Sequence, residues 1–330
     1  MKKIVVDLDG SDSNAKSLIN GAIKAINEFS DLYLIIVTSD KSIRKSIDND
    51  YNENQIEFVF TSSIISNDDN PILAFKEKND SSLVKGLELS KNDNDVIGFV
   101  SLGSTGAILV SSYLILGKIS KVRPSLASTL LSKSGNPFLI IDSGSNIDCR
   151  PEMLNNFAKM GTIFMESAWN ISNPRVALLS NGSEESKGND LVKKTNAILK
   201  RTNLNFIGNI EPNECLMDKA DVIVCDGFSG NMVLKTIEGT AKAVVEEINK
   251  YIEKSNDKKR ISDITKSILE KYDYNTKGGG VLLGVNKLVV KGHGAGDFET
   301  IYNTIKMVID LNNKNLIKKL KNILENQQNH

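Results

Sequence analysis

Charge of one sign is the first thing this sequence lacks, because Lys plus Arg and Asp plus Glu number 41 each over 330 residues. Without a global basic field nothing holds nucleic acid or an anionic membrane electrostatically, so a small-molecule or protein substrate is expected. Cysteine is scarce as well. Cys149, Cys215 and Cys225 stand far apart, with neither C-x-x-C nor zinc-ligand spacing, which points to a reducing compartment and buried structural thiols. Histidine is scarcer still: only His293 accompanies the terminal His330, so neither a zinc site nor a Ser-His-Asp triad has support. No metal and no other cofactor is expected. The longest apolar stretch, Gly106 to Ile119, is interrupted by Ser111, Ser112 and Lys118. It falls short of the ~20 residues that span a bilayer and reads as a buried helix. Met1-Lys2-Lys3 leads straight into a strand-like run with no secretory pattern, so a cytoplasmic protein is expected.

What is present is a chain 40% apolar and 25% charged, enough for a large core. Short β-branched runs recur at Ile4–Val6, Leu34–Val37, Ile56–Phe60, Val96–Val100, Phe138–Ile141, Val176–Leu179, Leu204–Ile207, Val222–Val224 and Leu288–Val290. Segments with helical periodicity follow most of them, such as the stripe Leu18, Ile19, Ala22, Ile23 and Ile26. Alternation of this kind predicts an α/β fold with a doubly wound, mostly parallel sheet covered on both faces, an α/β/α sandwich. Residues 1–330 are taken as one domain. From about Ala241 to Asn275 polar residues surround a sparse apolar set, and two projecting helices are expected. Lys277-Gly278-Gly279-Gly280 then leads to a final strand and one long C-terminal helix carrying Ile305, Val308, Ile309 and Leu320, with a frayed tail from Gln327.

In doubly wound sheets ligands bind at the carboxyl ends of the strands, so small and polar residues there are the candidates. Ser101-Leu102-Gly103-Ser104-Thr105-Gly106 follows a strand and opens an apolar helix, whose free N–H groups suit a phosphate or an oxyanion; a capped tight turn is the alternative. Asp142-Ser143-Gly144-Ser145-Asn146-Ile147-Asp148 suits ligand orientation or Asx-turn chemistry. Asp226-Gly227-Phe228-Ser229-Gly230-Asn231 has the same form, with a helix cap as its alternative. The loop Gly182 to Asn189 sets Lys187 beside Gly188 at a helix start, with Glu184 in the same loop, giving a mobile cation for phosphate or a solvated loop. His293, in Lys291-Gly292-His293-Gly294, has an intrinsic pKa near ~6.5 that suits proton transfer to a departing thiolate. Asp7-Leu8-Asp9-Gly10-Ser11 looks like the D-x-D-G-T start of haloacid-dehalogenase-type phosphatases. Five residues match and the later glycine-aspartate element is missing, so that likeness is read as chance.

Taken in order, these elements resemble the phosphate acyltransferases of bacterial phospholipid synthesis, the PlsX family of acyl-carrier-protein:phosphate transacylases. Gly103-Ser104-Thr105-Gly106-Ala107 looks like the family's G-N-T-G-A, and Gly117-Lys118-Ile119 followed by Arg123-Pro124 looks like G-R-I with a later R-P. Asp142 to Asp148 with Pro151-Glu152 is similar to D-V-G-A-N-V-D with K-P-E, and Asn173-Pro174-Arg175-Val176 to N-P-R-V. Gly182 to Asn189 resembles G-x-E-x-x-K-G-N, and Lys291-Gly292-His293-Gly294 stands where the family has K-S-H-G. Departures gather at the start, where D-A-M-G-G-D-x-A-P appears as Asp7-Leu8-Asp9-Gly10-Ser11-Asp12-Ser13-Asn14-Ala15, one glycine short, and Ser104 replaces an asparagine.

The resemblance implies a fold like that of isocitrate and isopropylmalate dehydrogenases. It also implies attack by inorganic phosphate on the thioester of a fatty acyl carrier protein, giving acyl phosphate for phospholipid synthesis. Lys187 and the Gly103 to Gly106 turn would bind phosphate, Asn231 with the Asp226 loop the reacting carbonyl, and His293 would balance charge. Asp7, Gly10, Asp12, Asp142, Gly144, Asn146, Asp148, Glu184, Gly188, Asn189, Gly227, Lys291 and Gly294 would complete the substrate site. Expected partners are the acidic carrier protein, docking on Lys118, Lys121 and Arg123, a second copy in a homodimer, and a downstream acylglycerol-phosphate acyltransferase. Peripheral contact with the membrane's inner face is expected through the family's helical tip, although this one is more polar. The alternatives are a related enzyme acting on another thioester, such as an amino-acid reductase subunit, a dehalogenase-type phosphatase, a decarboxylating dehydrogenase, or a carrier-binding homologue without activity.

Overall fold

A computed structural model describes residues 1–48, 50–252, 258–272 and 278–326. The chain divides into two compact units, Met1–Leu126 with Lys277–His330, and Ala127–Thr276.

In the first unit the order is β1 (Lys2–Asp7), α1 (Ala15–Glu28), β2 (Leu32–Thr38), β3 (Ile56–Phe60), α2 (Pro71–Glu77), α3 (Ser82–Asn92), β4 (Val96–Ser101) and α4 (Thr105–Leu116). The second unit is built from β5 (Ser125–Leu131), whose first two residues still count with the first unit, β6 (Pro137–Ile141), α5 (Pro151–Trp169), β7 (Val176–Leu179), α6 (Asp190–Leu199), β8 (Phe206–Ile210), β9 (Val222–Val224), α7 (Gly227–Ile252) and α8 (Lys258–Tyr272). The chain returns to the first unit with β10 (Gly280–Leu283), β11 (Leu288–Lys291), α9 (Phe298–Asn313) and α10 (Leu316–Asn326).

Strands of the first unit lie in the order β3-β2-β1-β4-β11-β10. All its neighbours are parallel except β10 with β11. Alternation along β4 shows why both faces are apolar. A Cβ on Gly98 would press on Val308 of α9, whereas Phe99 points the other way and fills the space left by Gly86 of α3. One residue step therefore exchanges one helical layer for the other. The second unit runs β5-β6-β9-β7-β8, parallel apart from β5 with β6. Here Leu139, Ile141 and Val222 face Gly161 of α5. Ile140 and Ile223 join a cluster with Leu234 of α7 on the opposite side. The α/β class and the mostly parallel pairing expected from the sequence are borne out.

Several expectations need correction. β5 and β10 were not foreseen as strands, and they supply the antiparallel pairings. The strand expected at Leu204–Ile207 is β8, which starts two residues later and runs to Ile210. The single C-terminal helix is two, because Asn315 adopts φ 56 and interrupts it after Asn313. The apolar helix α4 is not wholly buried: Leu114 is 51% and Tyr113 36% exposed. The two helices expected beyond Ala241 exist as α7 and α8, which pack on each other, but the first begins far upstream at Gly227. Asn275, Lys277 and the tail from Gln327 fall outside the described residues. Among the described residues no helix is long and apolar enough to cross a membrane.

Candidate active site

Loops leaving the carboxyl ends of β1, β4 and β11 meet in the first unit. Asp7, the last residue of β1, is buried, and its carboxylate accepts Ser101 Oγ–H at 2.7 Å. Ser101 Oγ in turn accepts the Gly103 N–H at 3.1 Å, so the buried carboxylate fixes the turn that opens α4. Gly10 holds φ 73, and a Cβ there would sit 2.8 Å from the Ile65 carbonyl and 3.5 Å from Gly103 Cα. This remaining glycine makes the close approach by itself. Ser11, at the lost glycine, instead bonds within its own turn, its Oγ accepting the Ser13 N–H at 3.4 Å. Asp12 donates its N–H to the Gly294 carbonyl at 2.9 Å and accepts Asn67 Nδ2–H at 3.1 Å. Lys291 is buried and donates to the Gly292 carbonyl at 2.6 Å. His293 Nδ1 accepts the Ala295 N–H at 3.1 Å, which in a neutral ring leaves the proton on Nε2. Ser104 occupies the N-cap of α4 but makes no side-chain capping bond. Among the described residues the Ser104 cap alternative is therefore not realised, and the first N–H groups of α4 have no side-chain cap from it.

The phosphatase-like reading of Asp7 and Asp9 fails on their surroundings. Asp7 is locked to Ser101, and Asp9 accepts Thr38 Oγ1–H at 2.8 Å and the Ser39 N–H at 2.7 Å, so neither carboxylate is presented as a nucleophile. Burial pushes the Asp7 carboxyl up to about 7, against hydrogen bonds from Ser82 and Ser101 that oppose it. A group raised from 3.8 to about 7 binds its proton more tightly in the folded chain, so its stabilisation is complete below the unfolded value and is lost as pH climbs to about 7. Asp7→Asn should cancel that slope. Urea midpoints of the two proteins are expected to diverge in favour of the variant by on the order of 2 kcal/mol between about pH 5 and about pH 8. Parallel curves would remove Asp7 as the cause.

In the second unit the ends of β6, β9 and β7 stand side by side, so the loops after them neighbour one another in that order. Asp142, fully buried, anchors the first. Its carboxylate accepts the N–H groups of Gly144 at 2.9 Å, Ser145 at 2.8 Å and Asn146 at 2.8 Å. It also accepts Ser145 Oγ–H and Asn146 Nδ2–H, the latter at 2.6 Å. Burial raises the Asp142 carboxyl while these donors pull it down. This is Asx-turn chemistry carried through a whole loop. Against it lies the start of α7. The Gly227 N–H donates to the Asn146 carbonyl at 2.7 Å, and a Cβ on Gly144 would lie 3.5 Å from Asn231 Oδ1. Asn231 therefore stands over Gly144 at the start of α7's second turn. Asp226 caps α7, accepting the Ser229 N–H at 2.8 Å and Ser229 Oγ–H at 2.9 Å, so the cap alternative describes it. Asp148 is exposed and shows no partner among the described residues.

The third loop is pinned at both ends. Asn189 caps α6 by accepting the Val192 N–H at 3.0 Å, and Gly188, at φ 90, donates its N–H to Asn181 Oδ1 at 2.9 Å. The Glu184 carbonyl accepts Asn209 Nδ2–H at 2.9 Å. Lys187 is exposed, with its stem lying over Gly182, so its ammonium is carried on a fixed base. Exposed apolar side chains flank the Asp142 loop and α7: Ile147 at 66%, Phe228 at 60% and Met232 at 55%. The sequence reading missed these, and it missed Ser82, Ser101 and Thr38 as partners of the buried carboxylates. Polar residues at strand ends were the available sign for Ser101 and Thr38.

In each unit, parallel strands whose carboxyl ends carry glycine turns and polar loops make an α/β framework of the kind that carries enzyme sites. More particularly, the chain belongs to the family described as fatty acid synthesis protein, whose model matches residues 2–319. It is 38% identical over 330 residues to a phosphate acyltransferase of Clostridium tetani, covering 98% of each chain. It is likewise 38% identical over 328 residues to a phosphate acyltransferase of Halothermothrix orenii, covering 97% of each. Among solved structures, a phosphotransacetylase from Streptococcus pyogenes superposes with a TM-score of 0.61 at 18% identity, covering 96% of this chain and 94% of that one. A branched-chain phosphotransacylase from Enterococcus faecalis gives 0.61 at 14%, covering 94% and 99%. These two share the fold. The family inferred from the ordered motifs is borne out, and the chain is an acyltransferase of the phosphate acyltransferase type.

Proposed function

We propose that this acyltransferase moves a fatty acyl group from the thioester of an acyl carrier protein to inorganic phosphate, and that the acyl phosphate feeds phospholipid synthesis. The observation that carries the reading is the pairing, within the second unit, of a polar loop at Gly144 and Asn231 with exposed Ile147, Phe228 and Met232. A thioester of a long acyl chain offers the same two chemistries, a carbonyl that needs donors and a hydrocarbon that needs apolar surface. In the step proposed, a phosphate oxygen bonds to the carbonyl carbon, the C–S bond breaks, and the phosphate's proton ends on the departing thiolate. Asn231 Nδ2 would donate to the carbonyl oxygen as charge builds there. Lys187 would attract phosphate within the second unit; in the first unit the start of α4 is suited by itself to an anion and His293 to proton transfer.

Lys118, Lys121 and Arg123 are exposed, and the Arg123 guanidinium lies over the Tyr113 ring, which supports an acidic carrier as donor. The α/β framework likewise supports the proposed kinship with isocitrate and isopropylmalate dehydrogenases. We extend the proposal to a cytoplasmic homodimer that touches the inner membrane face and passes its product to a downstream acyltransferase. Incubation with acyl carrier protein thioester or coenzyme A thioester, with and without phosphate, tests the core of it. Free thiol and hydroxylamine-trappable acyl phosphate should form only with phosphate and faster from the carrier. Product from coenzyme A alone would move the activity to another thioester, and no product would leave a carrier-binding protein. Lys187→Ala should raise the KM for phosphate about tenfold with its melting temperature unchanged, since an exposed loop lysine packs against little. An unaltered phosphate KM would exclude Lys187.

A further inference from the structure

Away from these loops the first unit contains a cavity of about 470 Å³, the size of many small-molecule sites. Val96 and Leu288, the first residues of β4 and β11, line it. The Gly103 turn follows the opposite end of β4, so roughly 17 Å of strand separates them. The cavity is cationic. Lys287, Lys318 and Lys321 reach it, against the single carboxylate of Glu325. Asp93, the nearest charge balancing Lys287, is already held by Lys3 at 2.8 Å.

α10 supplies two of the lysines by its amphipathic build. Leu316, Leu320 and Leu324 are buried and fix the helix, which leaves Lys318 and Lys321, three residues apart, on its flank. Lys318 and Lys321 have no hydrogen-bond or ion-pair partner among the described residues. Burial lowers the pKa of Lys287, Asp93 opposes the shift, and Lys321 adds to it in the same direction as burial. Lys287 stays in place because its Nζ donates to the carbonyls of Val96 at 2.7 Å and Asp93 at 3.2 Å. Amides complete the wall. Asn94 and Asn322 line it, and Asn286 spends its Nδ2 on the carbonyls of Leu116 and Lys118, so its Oδ1 is the atom left to accept from a ligand hydroxyl. None of the described residues lining the cavity is aromatic, so nothing there would stack on a nucleobase.

We propose that this cavity is a second ligand site, separate from the acyl-transfer loops, for a small phosphorylated polyol whose phosphate lies among Lys287, Lys318 and Lys321. Amide acceptors take its hydroxyls. The phosphorylated polyol is either a free metabolite or the head group of a lipid, and the two are separable.

Calorimetric titration of the full-length protein with glycerol 3-phosphate, ribose 5-phosphate and glucose 6-phosphate should give saturable binding for at least one. At this site, read as the binding lost in Lys318→Ala/Lys321→Ala, inorganic phosphate should bind at least about tenfold more weakly than the best ester, apart from its binding at the acyl-transfer loops, and glycerol not at all. The double substitution Lys318→Ala/Lys321→Ala should weaken the binding about tenfold or more, whereas Lys319→Ala, exposed and outside the cavity, should leave it intact. Matching melting temperatures guard against misfolding, and Lys321→Glu provides a second reading by reversing one charge. Vesicles of phosphatidylglycerol, compared with phosphatidylcholine, report the lipid source: retention that depends on Lys318 and Lys321 assigns the site to a head group. The proposal is overturned if no polyol phosphate and no phosphatidylglycerol vesicle binds, if the double variant binds as well as the parent, or if the phosphate binding that depends on Lys318 and Lys321 is as tight as that of the esters.

Discussion

Asp142→Ala is expected to cost ~3–5 kcal/mol of stability and at least about a hundredfold in kcat/KM, although the carboxylate is spent on its own loop. The reason is the number of donors that converge on one buried group. Backbone N–H groups of Gly144, Ser145 and Asn146, the Ser145 hydroxyl and the Asn146 amide all end on Asp142. Alanine leaves them buried without an acceptor, at ~1–3 kcal/mol for each that water cannot reach. The loop would then reorganise, and with it Gly144 beneath Asn231 and the Asn146 carbonyl that receives α7. Asp142→Asn keeps one acceptor oxygen and should lose roughly half as much stability. Urea midpoints and the acyl phosphate assay measure both losses. Unchanged midpoints in Asp142→Ala would mean that the loop is held by something other than this carboxylate.

That loop also shows how far the sequence alone could be read. Its position was legible because a polar, glycine-bearing segment after an apolar strand is where an open α/β sheet presents ligands, and Asp142, Asp226 and Lys187 all occupy such ends. The partners were not, since Ser101 bonds to Asp7 from 94 residues away and Asn209 holds Glu184 from a different strand. Spacing along the chain carries no trace of such contacts. The same limit explains the missed strands. β5 reads Ser-Leu-Ala-Ser-Thr-Leu-Leu, and the hydroxyls of Ser125, Ser128 and Thr129 break its apolar run although all three are fully buried. β10 opens on Gly280 after two glycines at positive φ and looked like part of a link. The division of the C-terminal helix had no proline or glycine to announce it; Asn315 alone, a residue tolerant of the left-handed region, makes the break. Apolar periodicity thus identified elements well, and failed where buried polarity or one asparagine decided the outcome.

Gly230→Ala should be the most damaging single-methyl change in α7, where the ordinary rule predicts the reverse. In a helix interior, alanine is favoured over glycine by ~1 kcal/mol. At Gly230 the added Cβ would lie 1.9 Å from the Asp142 carbonyl oxygen and 2.8 Å from Cys225 Sγ. A backbone carbonyl at the end of β6 cannot swing aside as a flexible side chain would, so α7 itself must retreat. Retreat would stretch the Gly227 to Asn146 bond and lift Asn231 from Gly144. We expect a loss of at least ~3 kcal/mol and near-complete loss of acyl phosphate formation. Gly239, in the same helix, offers the internal comparison, because nothing lies within 4 Å of the Cβ it would gain. Gly239→Ala should therefore raise stability by up to ~1 kcal/mol with activity retained. Thermal melts of the two variants should move in opposite directions. If both rise together, the fit of α7 against the Asp142 loop is looser than these distances require, and the pairing of Asn231 with Gly144 loses its structural basis.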